Sequence, residues 1–163
     1  LADFLDQAAA LGDRLGCLLV QLPPSFEYDA SLVGAFLAVL RALHDGPVVI
    51  EPRHATWFTA EAERVLEEFD AGRVAADPAR VPAAGRPGAA RGVAYFRLHG
   101  SPRIYWSRYD DAFLDALARQ VAAARRTARE VWCIFDNTAS SSALPNALGI
   151  VERLAASDRR PDG

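Results

Sequence analysis

The stretch PVVIEPRH, residues 47–54, is a short apolar run that ends abruptly in charged and polar residues. Its apolar part does not alternate with polar residues, which is the pattern of a strand buried on both faces of a parallel sheet. Its polar part begins where such a strand would end. Because parallel α/β folds carry their ligand sites at the carboxyl ends of the strands, this stretch predicts a fold class and the place of a site.

The same design recurs along the chain and predicts about five strands. Besides Pro47–Glu51, the apolar runs are Cys17–Leu22, Arg73–Ala76, Val93–His99 and Val131–Asp136. Segments with helical spacing lie between them, and Asp29, Thr59 and Asp110 are suitable N-caps. Since consecutive parallel strands need crossover connections, this alternation predicts an α/β fold. The proline- and glycine-rich segment Val81–Gly92 predicts a loop, either a flexible surface connection or a cover over the site.

Composition narrows the class of protein. The net charge is -3 and the basic residues are scattered among acidic ones, so no broad positive surface favours nucleic acid as a partner. Cys17 and Cys133 lie in separate apolar runs and are predicted to be reduced core residues. No basic leader precedes an apolar segment, and no apolar run reaches the roughly 20 residues that span a bilayer. We therefore expect a soluble, cytoplasmic protein without a membrane partner.

Polar side chains follow each predicted strand and define a candidate site. They are Gln21 after the first strand; Glu51, Arg53 and His54 after the second; Asp77 after the third; Arg97 and His99 at the end of the fourth; and Asp136 and Asn137 after the fifth. Trp57 and Tyr105 add aromatic surface close by. Because strand ends meet at one edge of a parallel sheet, these residues are expected to share a mouth that binds a small polar ligand.

Each of these residues also has a structural alternative. Glu51 and Arg53 could be a buried ion pair. His54 and His99 could be satisfied core histidines. Asp77 precedes a proline and could form a turn, whereas Asp136 and Asn137 could cap the next helix. Trp57 and Tyr105 could pack helix ends onto the sheet instead of stacking on a ligand.

The chemistry can be assigned only as a hypothesis. Glu51 or His99 would act as acid or base, Arg53 and Arg97 would orient an anionic group, and Asp136 with Asn137 would form hydrogen bonds or face a metal. A divalent metal is possible, although no fixed local spacing supports one. The sequence contains no Gly-x-Gly-x-x-Gly, no P-loop and no Gly-x-Ser-x-Gly, which removes the common nucleotide-binding and hydrolase signatures.

Several of these motifs together resemble a known family. LGDRLGCLLVQLPPSF (11–26), EPRH (51–54) with Trp57, DP (77–78), YFRLHG (95–100) and FDNT (135–138) are similar, in this order, to the signatures of the domain-of-unknown-function-72 (YecE-like) family. The resemblance implies a TIM-like (β/α) barrel and no established reaction.

The resemblance also implies that part of the barrel is missing from this chain. Family members usually begin with further strands, and no stretch here matches their motifs. Residues 1–156 are therefore expected to form a single partial (β/α) barrel of five C-terminal βα units, and residues 157–163 a disordered tail. Two functions remain open: a barrel that binds or acts on a small polar metabolite, or a truncated, non-catalytic or partner-completed scaffold. The open sheet edges would favour self-association.

Overall fold

The computed structural model describes residues 1–90 and 92–159, which contain five α-helices and seven strands. The helices are α1 Ala2–Ala9, α2 Ala30–Leu43, α3 Ala60–Glu68, α4 Asp111–Ala124 and α5 Ala143–Asp158. The strands are β1 Leu18–Gln21, β2 Val48–Glu51, β3 Ala71–Arg73, β4 Ala75–Asp77, β5 Gly88–Ala89, β6 Val93–Leu98 and β7 Glu130–Phe135. Short 3-10 turns cover Gly12–Arg14, Ala55–Trp57 and Pro82–Gly85.

The strands form two sheets, and the α/β class expected from the sequence is confirmed. In the first sheet β1, β2 and β3 are parallel, and β5 pairs antiparallel with β3. In the second sheet β4, β6 and β7 are parallel. Neither sheet closes on itself among the described strands. The chain passes directly from the first sheet to the second within residues 71–77, because β3 ends at Arg73 and β4 begins at Ala75.

The single strand predicted at Arg73–Ala76 is wrong, because this segment contributes to two strands. β3 pairs with β2 on one side, and β4 pairs with β6 on the other side. Val74 lies between the two strands, and its N–H donates to the carbonyl of Ile50 at 2.9 Å. Each half of the segment thus pairs with a different strand, which sequence periodicity cannot reveal.

The segment predicted as a loop at Val81–Gly92 is partly ordered by pairing with β3. Ala89 lies opposite Gly72, and the guanidinium of Arg73 donates to the carbonyls of Ala83 at 3.0 Å and Arg86 at 3.2 Å. The same guanidinium forms an ion pair with Glu63 of α3. The segment therefore packs along β3 and α3, and neither the flexible connection nor the cover over the strand ends describes it.

Alternate side chains of the strands face the helices. Two apolar clusters join the sheets to the helices, one around Leu37, Leu40, Ile50 and Leu66, the other around Phe96, Leu98, Leu114, Leu117 and Ile150. The opposite face carries a third cluster of Val49, Val74, Val93 and Tyr95, bordered by partly buried Cys17, Leu19, Trp132 and Ile134. Cys17 and Cys133 are free thiols, and burial raises the pKa of each to about 12, as expected for unreactive thiols.

The predicted helix starts are confirmed by their capping bonds. The side chains of Asp29, Thr59 and Asp110 accept from the backbone N–H groups three residues later. At the other end of the chain, α5 continues to Asp158, so the first two residues of the tail predicted to be disordered are helical. Residues 160–163 of that tail lie outside the described residues. None of the described helices is both long and apolar enough to cross a membrane.

The buried face of α2 provides a test of the helix-to-sheet packing. Leu37 is fully buried, whereas Val39 on the same helix is 53% exposed. We expect Leu37→Ala to lower the free energy of unfolding by about 2–5 kcal/mol, because it removes buried methyl groups and leaves a cavity. Val39→Ala is the control and should change it by less than about 0.5 kcal/mol. Urea unfolding measures both, and equal effects would contradict this packing.

Candidate functional site

The site is built around the carboxylate of Glu51, which ends β2 and has no solvent exposure. Its Oε1 forms an ion pair with Nη2 of Arg53 at 2.6 Å, and its Oε2 accepts a hydrogen bond from Nη1 of Arg97 at 2.7 Å. His99 Nε2 lies 3.0 Å from Oε1. A buried carboxylate is tolerated when opposite charges and hydrogen bonds surround it, and both are present here.

Arg97 links this carboxylate to the ends of two further strands. Its Nη2 contacts Oδ2 of Asp136 at 2.6 Å, directly after β7, and its Nη1 also donates to the side-chain oxygen of Gln21 at the end of β1. Gln21 and Glu51 are register partners in the parallel pair of β1 and β2, which places them side by side. The arrangement brings together six residues that the sequence singled out, here called the mouth cluster: Gln21, Glu51, Arg53, Arg97, His99 and Asp136.

The formal charges in the mouth cluster cancel when His99 is neutral, since two carboxylates face two guanidiniums. Burial by itself would raise the pKa of Glu51, but the hydrogen bonds from His99 and Arg97 and the charges of Arg53 and Arg97 outweigh it and lower that pKa. Burial by itself would lower the pKa of Arg97. Its bonds to Glu51 and Asp136 outweigh that effect and raise the pKa above its usual value. Both groups are therefore held in their charged forms.

His99 lies between the two carboxylates and has no exposed surface. Its Nε2 is 2.8 Å from Arg53 Nη2 as well as 3.0 Å from Glu51 Oε1, and a single ring nitrogen cannot accept from the first while donating to the second. Its Nδ1 lies 3.2 Å from Asp136 Oδ2 but makes no well-directed hydrogen bond. With the ring proton on Nε2 the histidine donates to Glu51, and with the proton on Nδ1 the Nε2 atom can accept from Arg53 while Nδ1–H faces Asp136 without a well-aligned bond.

Asp77 and Asn137 lie in a separate hydrogen-bond network centred on Tyr109. The Tyr109 hydroxyl donates to Oδ1 of Asp77 at 2.8 Å and accepts from the N–H of Gly100 at 2.8 Å. Asn137 donates to the side-chain oxygen of Asn146, which also accepts from the N–H of Tyr109. Burial and the bond to Asp77 raise the pKa of Tyr109. These polar groups fix the loop between β6 and α4, which favours a structural role for Asp77 and Asn137.

The remaining candidates, His54, Trp57 and Tyr105, are not part of the mouth cluster. His54 Nδ1 is 3.0 Å from the hydroxyl of Thr56 and caps the short turn that follows. Trp57 is 2% exposed, and its indole N–H donates to the carbonyl of Phe26 at 3.0 Å, so it packs a helix end instead of presenting a free face. Tyr105 is 48% exposed, and its ring stands edge-on against His99, with 5.7 Å between ring centroids. Of the two candidate aromatics, Tyr105 is the one that keeps the surface that stacking on a ligand would need.

Two residues of the site region were missing from the expected set. Tyr109 and Asn146 are buried and join the loop after β6 to β7 and α5. Asn146 could have been suspected, because a buried amide in an otherwise apolar helix face must find partners. The sequence offers Tyr109 only as one of the aromatics that follow His99, and its bond to Asp77 could not be predicted because the two residues are 32 positions apart.

The donor set offers little to a metal ion. Arginine side chains already bind the Glu51 carboxylate and one oxygen of Asp136. Among the residues that the structure describes, no group of three or more His, Cys, Asp or Glu side chains is arranged to hold a metal. The divalent metal allowed by the sequence therefore gains no support from these side chains.

The lowered pKa of Glu51 predicts a pH-dependent effect of Glu51→Gln. At pH 7 we expect a loss of about 3 kcal/mol in the free energy of unfolding, because two guanidiniums lose their partner. A carboxyl whose pKa is lower in the folded state stabilises above the ordinary value of 4.5, and this contribution disappears as the pH falls through the folded pKa. The difference between variant and parent should therefore shrink as the pH falls below 4.5.

Urea unfolding at pH 7, 5 and 3.5 measures this effect. The control is Glu152→Gln on the exposed side of α5, which should stay within about 0.5 kcal/mol of the parent. A penalty for Glu51→Gln that is the same at pH 7 and pH 3.5 would show that packing, not charge, holds Glu51 in place.

Comparison with known proteins places the chain in a family. The model of the family described as protein of unknown function DUF72 matches residues 1–162. A solved DUF72 family protein from Thermotoga maritima superimposes with a TM-score of 0.79 at 26% identity, covering 94% of this chain and 64% of that one. A DUF72 family protein from Enterococcus faecalis V583 gives a TM-score of 0.77 at 25% identity, covering 93% and 66%.

A second structure of the Enterococcus protein gives a TM-score of 0.78 at 23% identity, covering 98% of this chain and 65% of that one. The chain thus spans a little less than two thirds of the length of these solved proteins. No curated protein matches the sequence. The family model and the shared fold lead to one conclusion: this chain belongs to the DUF72 family, whose function is unknown.

Proposed function

We propose that this chain, as a YecE-like protein, forms the later βα units of a TIM-like (β/α) barrel that binds or acts on a small polar metabolite at its strand C-termini. The observation that carries this proposal is the fully buried Glu51 carboxylate, surrounded by Arg53, Arg97 and His99 at the strand ends. An ion pair needed only for stability could be replaced by apolar side chains at little or no loss, so clustered buried charges suggest a binding role.

The barrel is supported by the sheet edges and by the solved family members. β1 and β7 each have a strand neighbour on one side only among the described residues. The third apolar cluster, on the face away from the helices, keeps Leu19, Trp132 and Ile134 only partly buried. The match covers only 64% and 66% of the solved relatives, so about a third of each relative has no counterpart in this chain. Further strands, from a longer chain or from a partner, would cover this face and complete the mouth.

A ligand site at the mouth needs groups that reach solvent, and the mouth cluster provides them. Asp136 is 27% exposed and Arg97 is 16% exposed, while the carboxylate of Glu51 orients Arg53 and Arg97 from below. Orienting groups that are fixed before binding reduce the cost of ordering them in the complex. In an enzymatic version His99 would transfer a proton to or from the ligand.

We propose no nucleic acid partner. We propose the cytoplasm as the location of the protein, because its two cysteines are free thiols.

A scaffold function is the alternative, because the strands at the ends of the two sheets, β1 and β7 among them, have one edge without a strand partner among the described residues. Such edges favour association with another chain. If a partner completes the barrel, the protein should associate as its concentration rises. Sedimentation velocity from micromolar to hundreds of micromolar would detect this, and a compact monomer over the whole range would contradict both the scaffold and self-association through the edges.

A ligand screen tests the metabolite-binding proposal. Thermal melts would be recorded with neutral sugars, sugar phosphates, sugar acids, amino acids and divalent metals, each with and without chelator. A ligand present at about 100 times its Kd should stabilise the protein by about 2.7 kcal/mol, visible as a rise in melting temperature. Arg53→Ala should abolish that rise, because it removes one of the two guanidiniums that pair with the Glu51 carboxylate and hold the mouth cluster in its arrangement.

His54→Ala is the matched control, since His54 is the next residue and bonds only locally to Thr56. Its melting temperature should rise with the ligand as in the parent. A ligand response that survives Arg53→Ala would locate the binding site elsewhere. No response to any class of ligand would leave the scaffold function as the better proposal.

A further inference from the structure

The open side of the mouth cluster presents both a hydrogen-bond acceptor and a donor. Among the described residues, the shortest contacts of the Asp136 carboxylate with Arg97 and His99 are made by Oδ2, and Oδ1 accepts no hydrogen bond. Gln21 is exposed, and its amide oxygen is bound by Arg97, which leaves its NH2 group available. A ligand hydroxyl both donates and accepts, so it can satisfy such a pair, whereas a phosphate or carboxylate oxygen can only accept.

The charges of the site argue against an anionic ligand. Arg53 and Arg97 are already paired with Glu51, and Arg97 is paired with Asp136 as well. With His99 neutral, no uncompensated positive charge remains in the mouth cluster. The carboxylate of Asp136 is its most exposed charged group, at 27%. A phosphate entering the mouth would therefore meet a negative charge before any free cation, and like charges at close range reduce affinity.

Tyr105 offers an apolar surface next to these polar groups. Its backbone has a φ of 65°, in the left-handed region that non-glycine residues seldom adopt. Backbone bonds hold this conformation, from its own N–H to the carbonyl of His99 at 2.5 Å and from the N–H of Ala139 to its carbonyl at 2.9 Å. The neighbouring Trp106 is 45% exposed, but the guanidinium of Arg103 lies over one face of its ring at 4.2 Å, whereas Tyr105 is the exposed aromatic that contacts His99.

We propose that the mouth cluster binds a neutral polyhydroxylated ligand, a sugar or polyol without phosphate or carboxylate. Its hydroxyls donate to Asp136 Oδ1 and accept from the Gln21 amide, and its C–H face packs on Tyr105. This inference rests on the proposed function and specifies the ligand class for the same site. It also excludes the phosphorylated metabolites that the arginines alone would suggest.

Matched ligands test the charge argument. Isothermal titration would compare D-glucose, D-mannose, D-galactose and myo-inositol with glucose 6-phosphate, mannose 6-phosphate, galacturonate and inositol 1-phosphate. We expect at least one neutral compound to bind at least tenfold more tightly than its anionic counterpart. Asp136→Asn removes the exposed negative charge and should reverse this preference, so that the phosphate or the sugar acid binds more tightly than the neutral compound.

Two substitutions in the loop after β6 test the aromatic contact and distinguish a loss of ligand binding from a loss of stability. Tyr105→Gly removes the ring and relieves the left-handed backbone, because glycine adopts a positive φ readily. The variant should keep or exceed the parent melting temperature while its affinity for the neutral ligand falls at least tenfold. Ile104→Ala, at the neighbouring exposed position, is the control and should bind as the parent does.

The possible outcomes separate this inference from the proposed function. An anionic compound that binds the parent more tightly than its neutral counterpart, with Arg53→Ala abolishing the binding, would overturn the inference and support the site. Unchanged affinity in Tyr105→Gly would also overturn it. Absence of binding by every compound, neutral and anionic, would overturn the inference together with the proposal of a metabolite site.

Discussion

The structure depends most on the bonding of one buried carboxylate. Glu51 has no access to water, so its charge must be balanced by side chains from other strands. Arg53 supplies one partner locally; Arg97 in β6 and His99, directly after β6, supply the others from 46 and 48 residues away. Because Arg97 also reaches Gln21 and Asp136, the ends of four strands are tied together at one point. Satisfying a single buried charge thereby fixes the shape of the candidate site.

The loop after β6 connects this charge network to the Tyr109 network. Gly100 follows His99 directly, has a φ of 93° and donates its N–H to the hydroxyl of Tyr109. A Cβ at this position would lie 3.0 Å from the carbonyl of Ser107 and 3.1 Å from Asn137, so only glycine fits without displacement. The chain is therefore drawn tightly across the end of β6, and Tyr105 is placed against His99. The position of the open aromatic ring is a consequence of the packing behind it.

Family membership and the local geometry give complementary information. The DUF72 family and its solved members establish the fold over nearly the whole chain, but the function of the family is unknown and supplies no substrate. A shared fold does not specify a reaction in any case, since one fold can support many chemistries. The chemistry has to be inferred from the side chains at the strand ends, where paired charges and one exposed tyrosine are better suited to a neutral ligand than to an anionic one.

The sequence by itself determined the α/β class, the helix starts at Asp29, Thr59 and Asp110, and the edge of the sheet where polar residues gather. These features depend on local rules: buried strands are apolar, caps bind the backbone three residues on, and parallel strands end on the same side. Only the tertiary structure decided which polar residues meet. Asp136 faces Arg97, whereas the next residue, Asn137, points into the Tyr109 network, because neighbouring side chains of an extended chain take opposite sides. The division of segment 71–77 between two sheets, and the pairing of Gly72 with Ala89, likewise follow from partners distant in sequence, which no local pattern encodes.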